Sequence, residues 1–93
     1  MSEIARKMAE LSARFAARAG EQRAVMASAL EQGDLASLKD QAHRLAGMAG
    51  MFGEDAIGAA ALDLETAIEA GKEHRETAQR LNALLAELAE TAG

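Results

Sequence analysis

The chain has no cysteine, no proline, no tryptophan and no tyrosine, and two phenylalanines among its 93 residues. The lack of cysteine excludes a disulfide framework, a thiolate zinc site and a cysteine nucleophile. With no proline and an abundance of Ala, Leu, Glu and Arg, the composition has high helix propensity and few strand formers, which predicts an all-α fold. No apolar run approaches the ~20 residues that span a bilayer, and Met1-Ser2-Glu3-Ile4-Ala5-Arg6-Lys7 lacks the apolar stretch of a secretory signal. A cytoplasmic location with no membrane attachment is expected. The net charge of −5 argues against unspecific binding of nucleic acid or anionic lipid, both of which need concentrated Lys and Arg. Arg6, Lys7, Arg14, Arg18 and Arg23 nevertheless make the first quarter the basic part of an acidic protein.

What is present is helical periodicity. No linker or composition shift divides the chain, so residues 1–93 are expected to form a single domain. Ile4, Met8, Leu11, Phe15, Ala19, Gln22, Val25, Met26 and Ala29 fall in one stripe at 3.6-residue spacing, and the stripe keeps phase through Gly20. It predicts one long helix from about Glu3 to Gln32, ~45 Å if continuous, whose N-terminal turns overhang or cross the end of the domain. Gly33 is placed to end that helix and Asp34 to cap the next. The second helix carries Leu35, Leu38, Ala42, Leu45, Ala49 and Phe52 on one face and stops at Gly53. Asp55 is then expected to cap a third helix, with Ile57, Ala60, Ala61, Leu64, Ala67 and Ile68 inward and an end near Gly71. A fourth spans roughly Lys72 to Glu90 with Ala78, Leu81, Leu84, Leu85 and Leu88 as its stripe. Such short connections make neighbours antiparallel, so the expected architecture is an up-down four-helix bundle with a long N-terminal helix.

On the second helix His43 lies roughly 130° from the centre of the apolar stripe and is expected to face water. Its neighbours toward the C-terminus on that surface are Ala46, Gly47 and Gly50, all small. Two glycines inside a helix each cost about 1 kcal/mol, and an exposed face ordinarily fills with Glu, Lys or Arg. A face cleared in this way lets another protein or a tetrahedral phosphoryl group approach the ring. One turn earlier, Lys39 and Asp40 are candidates for a positive charge and for an acceptor to the ring's other nitrogen. The residues alone also fit an ordinary surface histidine beside glycines that permit close helix packing.

The stretch Ala42-His43-Arg44-Leu45-Ala46-Gly47-Met48-Ala49-Gly50-Met51-Phe52-Gly53 resembles the phosphorylation motif of bacterial histidine-containing phosphotransfer (HPt) domains, usually H-x-L-K-G followed by small residues and a hydrophobic-Gly pair. Gly33-Asp34-Leu35 before it and Leu64-Glu65 after it also look like that family. The resemblance implies a phosphocarrier of a two-component phosphorelay. His43 would accept a phosphoryl group from a receiver-domain aspartate and pass it to another receiver, with response regulator receivers and a hybrid histidine kinase as partners. The Mg²⁺ is expected on the receiver and no cofactor on this chain. The family's usual Lys three residues after the histidine is Ala46 here, which leaves Lys39, Arg44 or the partner to supply the charge. An ATP-dependent kinase is not expected, since no Gly-rich phosphate loop follows a strand.

Antiparallel packing about Gly33 would set Gln22 and Arg23 level with His43, and with Arg18 they complete the expected docking surface, although these arginines also fit a solvated helix face. Met48 and Met51 flank the glycines and fit either a hydrophobic docking rim or packing at the edge of the core, while Met8 and Met26 follow the core stripe. His74, among charges in Lys72-Glu73-His74-Arg75, reads as solvated surface. Glu65 and Glu69 have ordinary helix-surface spacing, and no His/carboxylate pairing suggests a metal. The alternative from another class is a helical adaptor that binds receiver or kinase domains without being phosphorylated. A self-associating bundle is a third, but the stripes are no wider than one core needs, and a monomer is expected.

Overall fold

The computed structural model describes residues 2–92, which form five helices: α1 (Glu3–Ala17), α2 (Ala19–Gln32), α3 (Leu35–Met51), α4 (Asp55–Glu69) and α5 (Arg75–Ala92). The fold is an all-helical bundle, and among the described residues there is no strand. No described helix is long and apolar enough to cross a membrane.

The count differs from the expected four because the first helix is not continuous. Arg18, with φ −92° and ψ −2°, ends α1 and begins α2. Its N–H donates to the carbonyls of Arg14 and Phe15, and its own carbonyl accepts from Gln22, so the helix bends and resumes at once. The bend lies two residues before Gly20, the position where a kink would have been cheapest. Phe15 and Ala19, on either side of it, are both buried. Gly20 packs so that a Cβ there would lie 3.8 Å from the Ala89 Cβ of α5. The requirement to bury both flanks of the bend is tertiary, and a stripe that keeps phase through Arg18 does not encode it.

Gly33 adopts φ 67°, the left-handed conformation that a side chain disfavours, and lets Asp34 N–H reach back to the Ala29 carbonyl at 2.9 Å. Asp34 then caps α3: it accepts from the Ser37 N–H at 3.2 Å and from the Ser37 hydroxyl at 2.8 Å. These hydrogen bonds, the hydroxyl's first, hold the Asp34 carboxyl below its ordinary value of 3.8. Two later boundaries differ from expectation. Glu54, not Asp55, is the N-cap of α4 and makes no side-chain capping bond, and Asp55 sits in the first turn, where its charge complements the helix dipole. The last helix begins at Arg75 rather than Lys72, with the Glu73 carboxylate accepting from the Arg75 N–H at 2.6 Å.

The core is built from Phe15, Met26, Leu38, Leu45, Ile57, Leu64, Leu81 and Leu85, with buried alanines between them. Ile4, 78% exposed, and Val25, 53% exposed, fall outside it although both lie on the sequence stripe. α1 packs on α5 and α2 and stands off α3, and the residues of its first turn are exposed. The α3–α4 pair is the most intimate. A Cβ on Gly58 would meet Gly50 N at 3.6 Å and Ala46 O at 3.7 Å, while farther along α4 Glu65 meets His43 and Glu69 meets Lys39. Numbers rise on α4 as they fall on α3, so these two helices run in opposite directions.

Candidate functional site

His43 projects from the middle of α3 with its side chain 71% exposed. The phase of the buried Leu38, Ala42, Leu45 and Ala49 places it there: a residue one position after Ala42 is turned about 100° away from the core. Its Nδ1 lies 2.7 Å from Oε2 of Glu65, whose side chain reaches across from α4 and is only 15% exposed. A carboxylate only accepts, so the neutral ring carries its proton on Nδ1 and presents the Nε2 lone pair. Nε2 has no hydrogen-bond partner among the described residues.

Glu65 is the site residue that sequence reasoning missed, having read it as helix surface. The signal available was register: His43 and Glu65 lie at similar distances on either side of the short Phe52–Glu54 connection, and antiparallel helices bring such positions together. Asp40, the acceptor expected for the second ring nitrogen, is instead paired with Arg44 Nη2 at 3.0 Å, as the i,i+4 spacing favours. Lys39 Nζ lies 3.3 Å from Glu69 Oε1. Ala36, Lys39, Asp40, His43, Glu65 and Glu69 line one open groove of about 460 Å³ between α3 and α4.

Gly47 and Gly50 are both exposed, and a Cβ on either would meet nothing within 4 Å. Close helix packing therefore does not account for them. Gly58 opposite does lie in the helix seam, where an added Cβ would sit in ordinary contact, 3.7 Å from Ala49 Cβ. Ala46, expected on the bare surface, is half-buried and packs against the core. Met48 and Met51 are exposed beside Gly47.

The other expected docking residues divide. Gln22 is brought to α3: its backbone carbonyl and Oε1 accept from Gln41 Nε2 at 2.7 and 3.0 Å, Gln41 being 4% exposed. Arg18 lies at the bend and shares a cleft with Gln22 and Arg44. Arg23 does not join them. It lines a hollow with Gln79, Asn82 and Ala83 of α5, because adjacent helical positions diverge by about 100° and Gln22 already faces α3. His74, expected on the solvated surface, is half-buried where α5 begins, its carbonyl accepting from the Ala78 N–H. Among the described residues no group of three or more His, Cys, Asp or Glu is arranged to hold a metal.

Fold and site together define an all-helical module that offers one oriented imidazole on an open face. The Hpt domain family model matches residues 10–92, and the chain belongs to the Hpt domain family. Comparison with curated proteins and with solved structures finds no match in either. Hpt domains serve histidine phosphotransfer in phosphorelays, as phosphocarriers rather than kinases, in company with receiver domains and kinases.

Proposed function

We propose that His43 Nε2 takes a phosphoryl group from the aspartyl phosphate of a receiver domain and passes it to the aspartate of another. The Nε2 lone pair attacks phosphorus, the bond from phosphorus to the aspartyl oxygen breaks, and its electron pair returns to the carboxylate. The ring gains positive charge as the N–P bond forms while Nδ1 keeps its proton. The Glu65 carboxylate, 2.7 Å away, offsets that charge and holds the ring at one angle. The reverse sequence delivers the group to the next receiver.

The observation that carries this reading is the Nδ1–Glu65 hydrogen bond on an exposed imidazole, beside glycines that internal packing does not require. Lys39, in the same groove as His43, is the cation best placed to stand in for the family's Lys, whose position is Ala46 here. Arg44 lies toward the other side of α3. Further neutralisation falls to the receiver, where the family resemblance puts the Mg²⁺.

Incubation with phosphorylated receivers, or with a cognate hybrid kinase, is expected to put an acid-labile, base-stable label on wild type and none on His43→Gln. Failure of every receiver of the source organism to give a His43-dependent label would overturn the reading. Ala46 favours a second one, in which the domain binds such partners without chemistry. It predicts that His43→Ala binds and functions as wild type does.

A further inference from the structure

Two contacts cross the α3–α4 groove one helical turn apart. His43 Nδ1 meets Glu65 Oε2 at 2.7 Å, and Lys39 Nζ meets Glu69 Oε1 at 3.3 Å. Lys39 and His43 are four residues apart on α3, as Glu65 and Glu69 are on α4, so each pair shares one helix face and the contacts stack as two rungs. The first rung orients the imidazole. The second has no part in the transfer chemistry described above, and the spacing of Glu69 within α4 gives it no role either.

Asp40, Glu65 and Glu69 line the groove, and among the described residues Lys39 is the one Lys or Arg that does so. Asp40 is occupied by Arg44 at 3.0 Å and Glu65 by the imidazole, which leaves Glu69 to take Lys39. The hold is loose. At 3.3 Å the contact is longer than the ~2.7–2.9 Å of a strong charge-assisted hydrogen bond. Both side chains are also about half exposed, and an exposed ion pair of this kind is weak and readily exchanged. A phosphoryl group on His43 Nε2 brings roughly two negative charges to a position one turn from Lys39. Glu69 and the phosphoryl group therefore compete for one ammonium.

We infer that Glu69 is a positioning residue that restrains Lys39 and thereby weakens the hold of His43 on a phosphoryl group. The inference rests on the phosphotransfer reading. While the imidazole is free, Glu69 keeps the ammonium on the second rung. Once the N–P bond has formed, Lys39 exchanges the carboxylate for phosphoryl oxygens and keeps its three protons throughout. Glu69 is then left unpaired in a groove that also holds Asp40, Glu65 and the phosphoryl charge, and the phosphorylated form alone carries that repulsion. The equilibrium between phosphohistidine and aspartyl phosphate is shifted toward the receiver, so the domain gives up its phosphoryl group rather than storing it.

The test uses the full chain and the purified receiver domain that exchanges phosphoryl groups with it fastest. Forward and reverse transfer rates give the equilibrium constant for phosphohistidine formation in wild type, Glu69→Gln, Lys39→Ala, the Lys39→Ala/Glu69→Gln pair, and Asp63→Asn, which removes a carboxylate paired elsewhere with Arg80. Glu69→Gln is expected to raise that constant by about two- to fivefold, the worth of an exposed ion pair. Lys39→Ala is expected to lower it and Asp63→Asn to leave it unchanged. Because Glu69 acts through the ammonium, adding Glu69→Gln to Lys39→Ala is expected to change the constant much less than Glu69→Gln changes wild type. An unchanged or lowered constant in Glu69→Gln, or a rise equally large without Lys39, would overturn the inference while leaving phosphotransfer standing. Absence of any His43 label on wild type would overturn the phosphotransfer reading instead.

Discussion

Glu65 Oε2 and His43 Nδ1 meet at 2.7 Å across the α3–α4 seam, so the orientation of an exposed side chain on one helix is set by a largely covered carboxylate on the next. An imidazole that is 71% exposed would otherwise rotate among several rotamers and exchange its proton between both nitrogens. Glu65→Ala is expected to slow transfer by about tenfold or more through lost orientation. Glu65→Gln, which still accepts from Nδ1–H but carries no charge, is expected to recover part of the rate. Nitrogen NMR of the ring separates the two effects: the Nδ1–H tautomer persists in the Gln variant and mixes with the other in the Ala variant.

Gly47→Ala and Gly50→Ala are predicted to move stability and function in opposite directions. A methyl group at either position meets nothing within 4 Å, so each change should raise stability by about 0.5–1 kcal/mol through helix propensity. The same methyl occupies the open face beside His43 and is expected to slow transfer from a receiver. Thermal melts and transfer rates on the same samples check both signs. A loss of stability would mean that the glycines serve packing after all.

Lys39 and Arg44 flank His43 in sequence but belong to different sides of α3. Lys39→Ala should lower kcat for transfer by roughly tenfold, as removal of a charge near the moving phosphoryl group does. Arg44→Ala should act chiefly on KM. The split between kcat and KM assigns the stand-in for the family's Lys; if Arg44→Ala lowers kcat and Lys39→Ala does not, the assignment reverses.

Asp34 makes the stability of α3 depend on pH. Its carboxyl is held below 3.8 in the folded state by the Ser37 hydroxyl and N–H. A depressed folded value contributes stability that is fully present above 3.8 and is lost as pH falls through the lower folded value. Asp34→Ala should therefore melt below wild type at neutral pH, with the difference shrinking toward zero in strong acid. Thermal unfolding of both proteins from neutral to acid pH measures it.

Much of the site was legible because helical phase is a local property. The spacing of Leu38, Ala42, Leu45 and Ala49 is enough to put His43 outward, and the cleared positions Gly47 and Gly50 are visible in the same turn. The stops at Gly33, Gly53 and Gly71 were legible for the same reason, and all three adopt positive φ. Glu65 was not, since its spacing within α4 is that of any solvated helix residue and its partner is twenty-two positions away.

The amino-acid sequence by itself thus determined the helical class, the stops at Gly33, Gly53 and Gly71, the exposed histidine and the bare glycines beside it, all of which follow from residue types within a few turns of one another. Only the tertiary structure decided that Arg18 bends the first helix, that Ile4 and Val25 stay outside the core, that Asp40 goes to Arg44 and that Glu65 takes the imidazole. Each of these depends on how one helix is set against another. Inter-helix register and separation are fixed by the combined packing of side chains such as Phe15, Ala19 and Leu64, and no single stripe contains that information.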